Sequence, residues 1–416
     1  MSTEEVLQMM ELFWASYGEA AKTATGFFWK SGWAFVLGYT ISAMIQSFVP
    51  KARLTQYMGD PDAKSVSLST IFGAASSSCS FAALAAARSL VAKGAHFVSA
   101  VAFMFASTNL VIELGILILI FLGPQYLAAE IVGGLILIVI SSLLIRWTYP
   151  RQWFEAAREK AEEEAPDMEE DFDWKERIQS RMGWHMVGKS FVDEWKMVWE
   201  EILIGFTVAG FVAVLVPQSF WEALFLANMQ GQLPAWLIAL ENAIVAPFVA
   251  AATFIGSMGN IPLATVLASN GVLFAGIMGF IYSDLMVPPL VATNAKYYGW
   301  RIALYIAGIM FVSIVATALL LDGAFALAGW TPEGAREIAG LTQFKIDYTF
   351  WMNVVSVGVV GGQVYLRRQH RRVHEEKDQD QASGTQGLSM KRLVVYLVVA
   401  VLVGGLIAFA LTGGTA

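Results

Sequence analysis

Apolar residues run through this chain in long blocks, and the polar positions between them fall at a few well-defined points. The blocks at 33–49, 95–121, 125–145, 202–221, 272–292, 302–321, 350–366 and 393–411 are about as long as a bilayer-crossing helix, which needs roughly 20 apolar residues. Two further apolar segments, 67–92 and 236–269, are interrupted in the middle. The first interruption reads Ser76-Ser77-Ser78-Cys79-Ser80 and the second Gly256-Ser257-Met258-Gly259-Asn260-Ile261-Pro262. Past each one the sequence repeats itself. Ser80, Ala87, Leu90, Gly94, Phe97 and Phe103 correspond to Ser257, Ala264, Leu267, Gly271, Phe274 and Phe280, always 177 positions apart. Matched breaks in two half-chains mark the binding region of many transporters. The pattern predicts an all-α polytopic membrane protein. It would have about eight transmembrane helices plus two broken, re-entrant helical hairpins, arranged as an inverted repeat.

This reading divides the chain into five parts. Residues 1–25 form an interfacial amphipathic helix, 26–145 a first transmembrane repeat, and 146–197 an acidic, helical cytoplasmic loop. Residues 198–322 form the second repeat, and 323–416 a two-helix extension with a charged cytoplasmic loop at 367–392. Trp184, Phe191, Trp195 and Trp199 read as interfacial anchors, and 375–389 as a disordered linker. No cleavable leader is visible in the acidic first 25 residues.

Charge sets the orientation. The loop 146–196 holds nine Lys and Arg and 367–392 holds seven, whereas 121–126 and 220–235 hold none. Basic loops collect on the cytoplasmic side. Both basic loops reach that side only if the second broken segment dips into the bilayer and returns, and making the first a hairpin too places Lys51, Arg53, Lys64, Arg88 and Lys93 inside. Their tips would then approach each other from opposite faces.

Composition narrows the class. Hydrophobic residues make up 56% of the chain and charged residues 15%, with a net charge of −7. That balance offers no electrostatic footing for nucleic acid. A single cysteine excludes an internal disulfide, no Walker motif marks an ATPase, and no ligand cluster marks a metal site or cofactor.

The candidate chemistry lies at the breaks. The hydroxyls of Ser76, Ser77, Ser78 and Ser80 can satisfy freed backbone groups, and Ser80 or Cys79 can cap the half-helix that follows. Asn260 reads as the cap of the second half-helix, beside Ser257 and Met258. Downstream, Ser107, Thr108, Asn109 and Glu113 lie within one apolar block, with Asn109 and Glu113 four apart on one helical face. The matching block carries Asp284, followed by Pro288, which lacks the amide that would bond its carbonyl. A carboxylate at membrane depth is costly and is a functional candidate by default.

The same residues carry a family likeness. The runs Cys79-Ser80-Phe81-Ala82-Ala83, Lys93-Gly94-Ala95, Phe105 through Gly115, Asp193 through Met197, Gly256 through Ala264, Phe280 through Leu285 and Lys296-Tyr297-Tyr298-Gly299 resemble the ArsP/YraQ-like group of predicted permeases, over about residues 30–322. The resemblance implies a multi-pass permease of the bacterial cytoplasmic membrane, some of whose relatives export trivalent organoarsenicals. This chain has serines beside Cys79 and Met258 at the second break, so it lacks a thiol pair for arsenic.

The expected activity is secondary transport of a small solute, anionic or thiol-reactive, such as an oxyanion or organometalloid. Solute and ion would be bound by Ser76, Ser77, Ser78, Cys79, Ser80, Ser107, Thr108, Asn109, Glu113, Ser257, Met258, Asn260 and Asp284, with coupling to H⁺ or Na⁺ through Asp284 and Glu113. Its partners are the lipid bilayer, the solute and the coupling ion, and a homo-oligomer is compatible with it. An intramembrane enzyme or an assembly protein is the alternative. A protease of this kind would need a second deep aspartate or a buried histidine base.

Overall fold

A chain surrounded by lipid must satisfy its backbone polar groups internally, which favours helices throughout. The computed structural model describes residues 2–48, 58–60, 62–76, 80–148, 155, 174–332, 338–374 and 390–412. It is 87% helical, without strands among those residues. The protein is an all-α, multi-pass membrane protein. Six helices are long and apolar enough to cross a bilayer, and a seventh candidate is a pair bent by 43° at a short break.

The first half begins with α1 (Thr3–Phe48). A hairpin follows, made of α2 (Ala63–Ser76) and α3 (Ser80–Ala92). Gly94 turns the chain at φ 98°, a conformation glycine adopts without strain. The His96 amide then donates to the Met58 carbonyl at 2.8 Å, so the chain leaves the hairpin where it entered. Next come α4 (Phe97–Asn109), α5 (Ile112–Phe121) and α6 (Pro124–Thr148). The short α7 (Trp174–Gln179) leads to α8 (Arg181–Leu215) and α9 (Gln218–Leu224).

The second half repeats this plan. Its hairpin is α10 (Ala235–Thr253) and α11 (Ser257–Ser269). Gly271 has φ 85°, and the Leu273 amide donates to Asn242 Oδ1 at 2.9 Å. Asn242 also donates to the Phe225 carbonyl at 2.7 Å, closing the hairpin base. Then follow α12 (Phe274–Ile281), a single 3₁₀ turn at Asp284–Met286, α13 (Pro288–Tyr298) and α14 (Trp300–Leu327). Helix ends recur at the spacing of the sequence repeat: Ser76 with Thr253, Ser80 with Ser257, Ala92 with Ser269, Phe97 with Phe274, and Phe121 with Tyr298. Two further helices, α15 (Tyr348–His374) and α16 (Met390–Thr412), complete the chain.

Helices α1 and α8 pack side by side in opposite directions. Phe48 meets Trp184 (ring centroids 5.4 Å), Phe28 meets Phe206 (4.9 Å), and Gly210 lies against Ala24. The first hairpin therefore follows the end of α1 near Trp184, and the second starts beyond the opposite end, past Leu215. Small residues permit the close approach, since Ala20, Ala21 and Ala24 are fully buried. Near the Trp184 end, Arg367 of α15 pairs with Asp193 at 3.4 Å. The second arm of each hairpin packs on the other half of the molecule, α3 on α13 and α11 on α5.

Four sequence expectations change. Residues 1–25 and the span after them form one 46-residue helix. The block 95–121 is not one continuous helix, because α4 stops at Asn109 and α5 starts at Ile112. The block 272–292 is likewise split around Asp284. Phe191 is buried and Trp195 packs on Phe35 and Tyr39 of α1, so neither is an interfacial anchor. The linker at 375–389 lies outside the described residues.

Candidate functional site

The interrupted helices leave backbone groups that the surrounding side chains take up. At the end of α2, Gln46 of α1 donates to the Ser76 carbonyl at 3.0 Å. Gln46 also bonds Glu194 of α8, which accepts from Ser42 at 2.8 Å. Ser76 turns its own hydroxyl back to the Gly73 carbonyl at 3.0 Å. At the second break the Asn260 amide donates to the Ile255 carbonyl at 3.3 Å, and the Ile255 amide donates to Thr253 Oγ1 at 3.3 Å. Asn260 is thus the fourth residue of α11 and not its cap. Gly256 occupies the cap position without a side-chain bond.

The two breaks meet. The Ser80 hydroxyl, at the first residue of α3, donates to Asp284 Oδ2 at 2.9 Å. Ser257, at the first residue of α11, also reaches the Asp284 carboxyl, and Glu201 of α8 lies within electrostatic range of it. Asp284 is fully buried. A cavity of about 20 Å³ lies between the breaks, lined by Ser80, Thr108, Glu113, Glu201, Ser257 and Met258, among others. Such a space holds about one water or one dehydrated monovalent ion. A larger cavity of about 320 Å³ adjoins it, sharing Ser80 and Glu201 and walled by Phe81, Phe254, Val287 and Val394.

The Ser107–Asn109 run serves mainly the frayed end of α4. Ser107 and Thr108 donate to the Met104 carbonyl at 3.0 and 3.3 Å, and Asn109 to the Phe105 carbonyl at 3.1 Å. Only Thr108 of the three reaches the central cavity. Asn109 and Glu113 do not share a helical face, because the 43° break separates them. Glu113, in the first turn of α5, presses against Gly38 of α1. Pro288 opens α13 instead of interrupting a helix, so the helical break at Asp284 is the 3₁₀ turn and does not come from a missing amide. Ser77, Ser78 and Cys79 lie outside the described residues.

A family profile described as "Predicted permease" matches residues 16–323. The chain belongs to the ArsP_1 family. A protein of Mycobacterium tuberculosis named "Putative permease Rv2963" is 37% identical over 319 residues, covering 74% of this chain and 77% of that protein. No solved structure matches. Membership makes this ArsP_1 chain a membrane permease, and both breaks and Asp284 fall inside the matched region.

Two acids of this ArsP_1 chain escaped the sequence reading. Glu201 sits beside Glu200 at the edge of an apolar block, where it reads as interfacial. In the structure its carboxylate lies against Gly256, where an added Cβ would come within 2.8 Å of Glu201 Oε2. Glu130 lies inside the apolar block 125–145, a position that itself signals function, and is buried.

Proposed function

We propose that this permease is a secondary transporter whose coupling ion sits in the small cavity between Ser80 and Ser257, and whose solute reaches those residues from the larger cavity that adjoins it. Asp284 carries the coupling H⁺ or Na⁺ there, with Glu113 and Glu201 completing the polar wall. The observation that carries this reading is the 2.9 Å bond from Ser80 to Asp284. One group belongs to the first break and the other to the opposite half, so occupancy of the cavity can bias how the halves sit. Alternating access through an inverted repeat follows the usual logic of such folds. It is supported by the antiparallel α1–α8 pair and the recurring helix ends. The chain would work in a bacterial cytoplasmic membrane, with its two basic loops inside.

The cavity's electrostatics refine the solute. Glu113 and Glu201 line it, and among the described residues no Lys or Arg does. The starts of α3 and α11 offset part of that negative charge. A free oxyanion fits such a wall poorly. A neutral or cationic species fits better, such as an uncharged organometalloid hydroxide bonded by hydroxyls and touched by the Met258 thioether. The test is solute-dependent thermal stabilisation of the purified protein, screened over arsenicals, oxyanions and metal complexes at two pH values. A stabilising solute is expected to lose its effect in Asp284→Asn while the variant still assembles in membranes. Equal stabilisation of the variant would remove Asp284 from the mechanism.

A further inference from the structure

Glu130 lies near the start of α6, and neither of its carboxyl oxygens has a hydrogen-bond donor among the described residues. Only 1% of the residue is exposed. A charge so placed is expensive unless paired or neutralised. Among the described residues no cation offers itself. Helices α4, α5, α12 and α14 all pack on α6. The first has no ionisable side chain, and α5 contributes Glu113, which faces Gly38 of α1. No residue of α12 ionises, but the segment after it supplies Tyr282 and Asp284. On α14, Arg301 is exposed, Tyr305 bonds Thr148 at the far end of α6, and Asp322 bonds the Ala275 backbone. The ionisable groups facing Glu130 are therefore Tyr282, whose hydroxyl donates to the Ala129 carbonyl at 2.9 Å, and Asp284, within electrostatic range.

Glu130 also stands in the wall of a third cavity, about 390 Å³, which meets the central one only at Val111. Its lining is apolar except for Glu130 and Asn109, and Asn109 Oδ1 also lacks a donor. Ile112, Leu119, Ile131 and Leu135 form its rim and are themselves exposed. The site thus opens toward acyl chains instead of water.

We propose that Glu130 is a second proton-carrying residue, reached from the bilayer side and coupled to Asp284, so that the two carboxyls share protons as a pair. Coupled sites lose their protons in steps that belong to the pair and not to either residue. The inference builds on the reading of Asp284 as a coupling acid, but its test needs no solute. Labelling can succeed where no solute is carried, and fail where one is.

The test treats the full chain in phosphatidylcholine vesicles with dicyclohexylcarbodiimide, an apolar reagent for protonated carboxyls, or with a water-soluble carbodiimide. Adducts are located by peptide mass spectrometry between pH 6 and 9. The apolar reagent is expected to modify Glu130 and the soluble one roughly tenfold less, as for a carboxyl at membrane depth. Glu130→Gln should lose the adduct from that peptide alone. The pH profile of Glu130 labelling should differ between wild type and Asp284→Asn. No adduct at any pH, equal labelling by both reagents, or identical profiles in the two proteins would each overturn the proposal.

Discussion

A single hydroxyl bonds the two halves of the central site together. Ser80 opens α3 and donates to Asp284 at 2.9 Å, and both groups are buried. Removing one partner of a buried bond leaves the other unsatisfied, at about 1–3 kcal/mol. Ser80→Ala is accordingly expected to lower stability in detergent by about that amount, read as a fall in the denaturant midpoint. Ser69→Ala, on α2, should cost less, because the Ser69 hydroxyl has no hydrogen-bond partner to lose among the described residues. An equal loss in the two variants would mean that the Ser80–Asp284 bond contributes nothing. At this scale the sequence was partly legible. Ser80, Ser257 and Asp284 stood out because polar groups are rare in apolar blocks. Asn260 misled, because its residue type suits a cap while its position inside α11 lets it bond the Ile255 carbonyl instead. Glu201 was hidden by the charged run beside it, and Glu130 by the strength of the apolar signal around it.

Each hairpin depends on a closed base. At the first, His96 uses its backbone amide to hold Met58 and accepts the Val98 amide on Nδ1 at 3.2 Å, capping α4. Partial burial pushes the His96 imidazole below its ordinary value, and a ring nitrogen that accepts a bond must be unprotonated there. The folded protein thus takes up this proton less readily than the unfolded chain. The cap contributes fully above about pH 6.5, the ordinary histidine value, and its contribution is lost as pH falls below that. Amide exchange at Val98 is therefore expected to quicken between pH 7.5 and 5.5, after correction for the intrinsic rate. His96→Asn, which keeps a good cap that does not titrate, should abolish that dependence; a retained dependence would assign it to another group. Helix breaks were less legible than helices. The gap at Leu110–Val111 is itself apolar, and the polar run Ser107-Thr108-Asn109 before it marks a disturbed stretch without marking where the helix stops, so only the backbone places the break. The matched ends at Ser80 and Ser257 were readable because there the polar side chains change together with the backbone.

For the whole molecule, direction along the membrane normal is what transport requires, and α1 and α8 supply it. Because they run antiparallel, from Phe48 beside Trp184 to Ala24 beside Gly210, the chain enters its two hairpins from opposite ends. The sequence repeat already implied two equivalent halves. An opposed sense of the halves is proposed, and in the sequence it rests on the uneven spread of Lys and Arg, since similarity at a fixed spacing is blind to direction. The packing agrees with that spread. Met58 and His96, Trp184, and Arg367 with Asp193 cluster at one end, next to the basic segments. Asn242 and Phe225, beside a loop without Lys or Arg, lie at the other. This arrangement makes a strict prediction for single cysteines placed in a Cys79→Ser background. Cysteines at Gln379 and at Glu176 should be protected from a membrane-impermeant maleimide in intact cells and react after permeabilisation, whereas one at Gln230 should react in both. If Gln379 reacts from outside while Glu176 does not, an odd number of crossings separates them. At least one broken segment would then span the bilayer fully, and the two polar tips could not approach from opposite faces as alternating access requires.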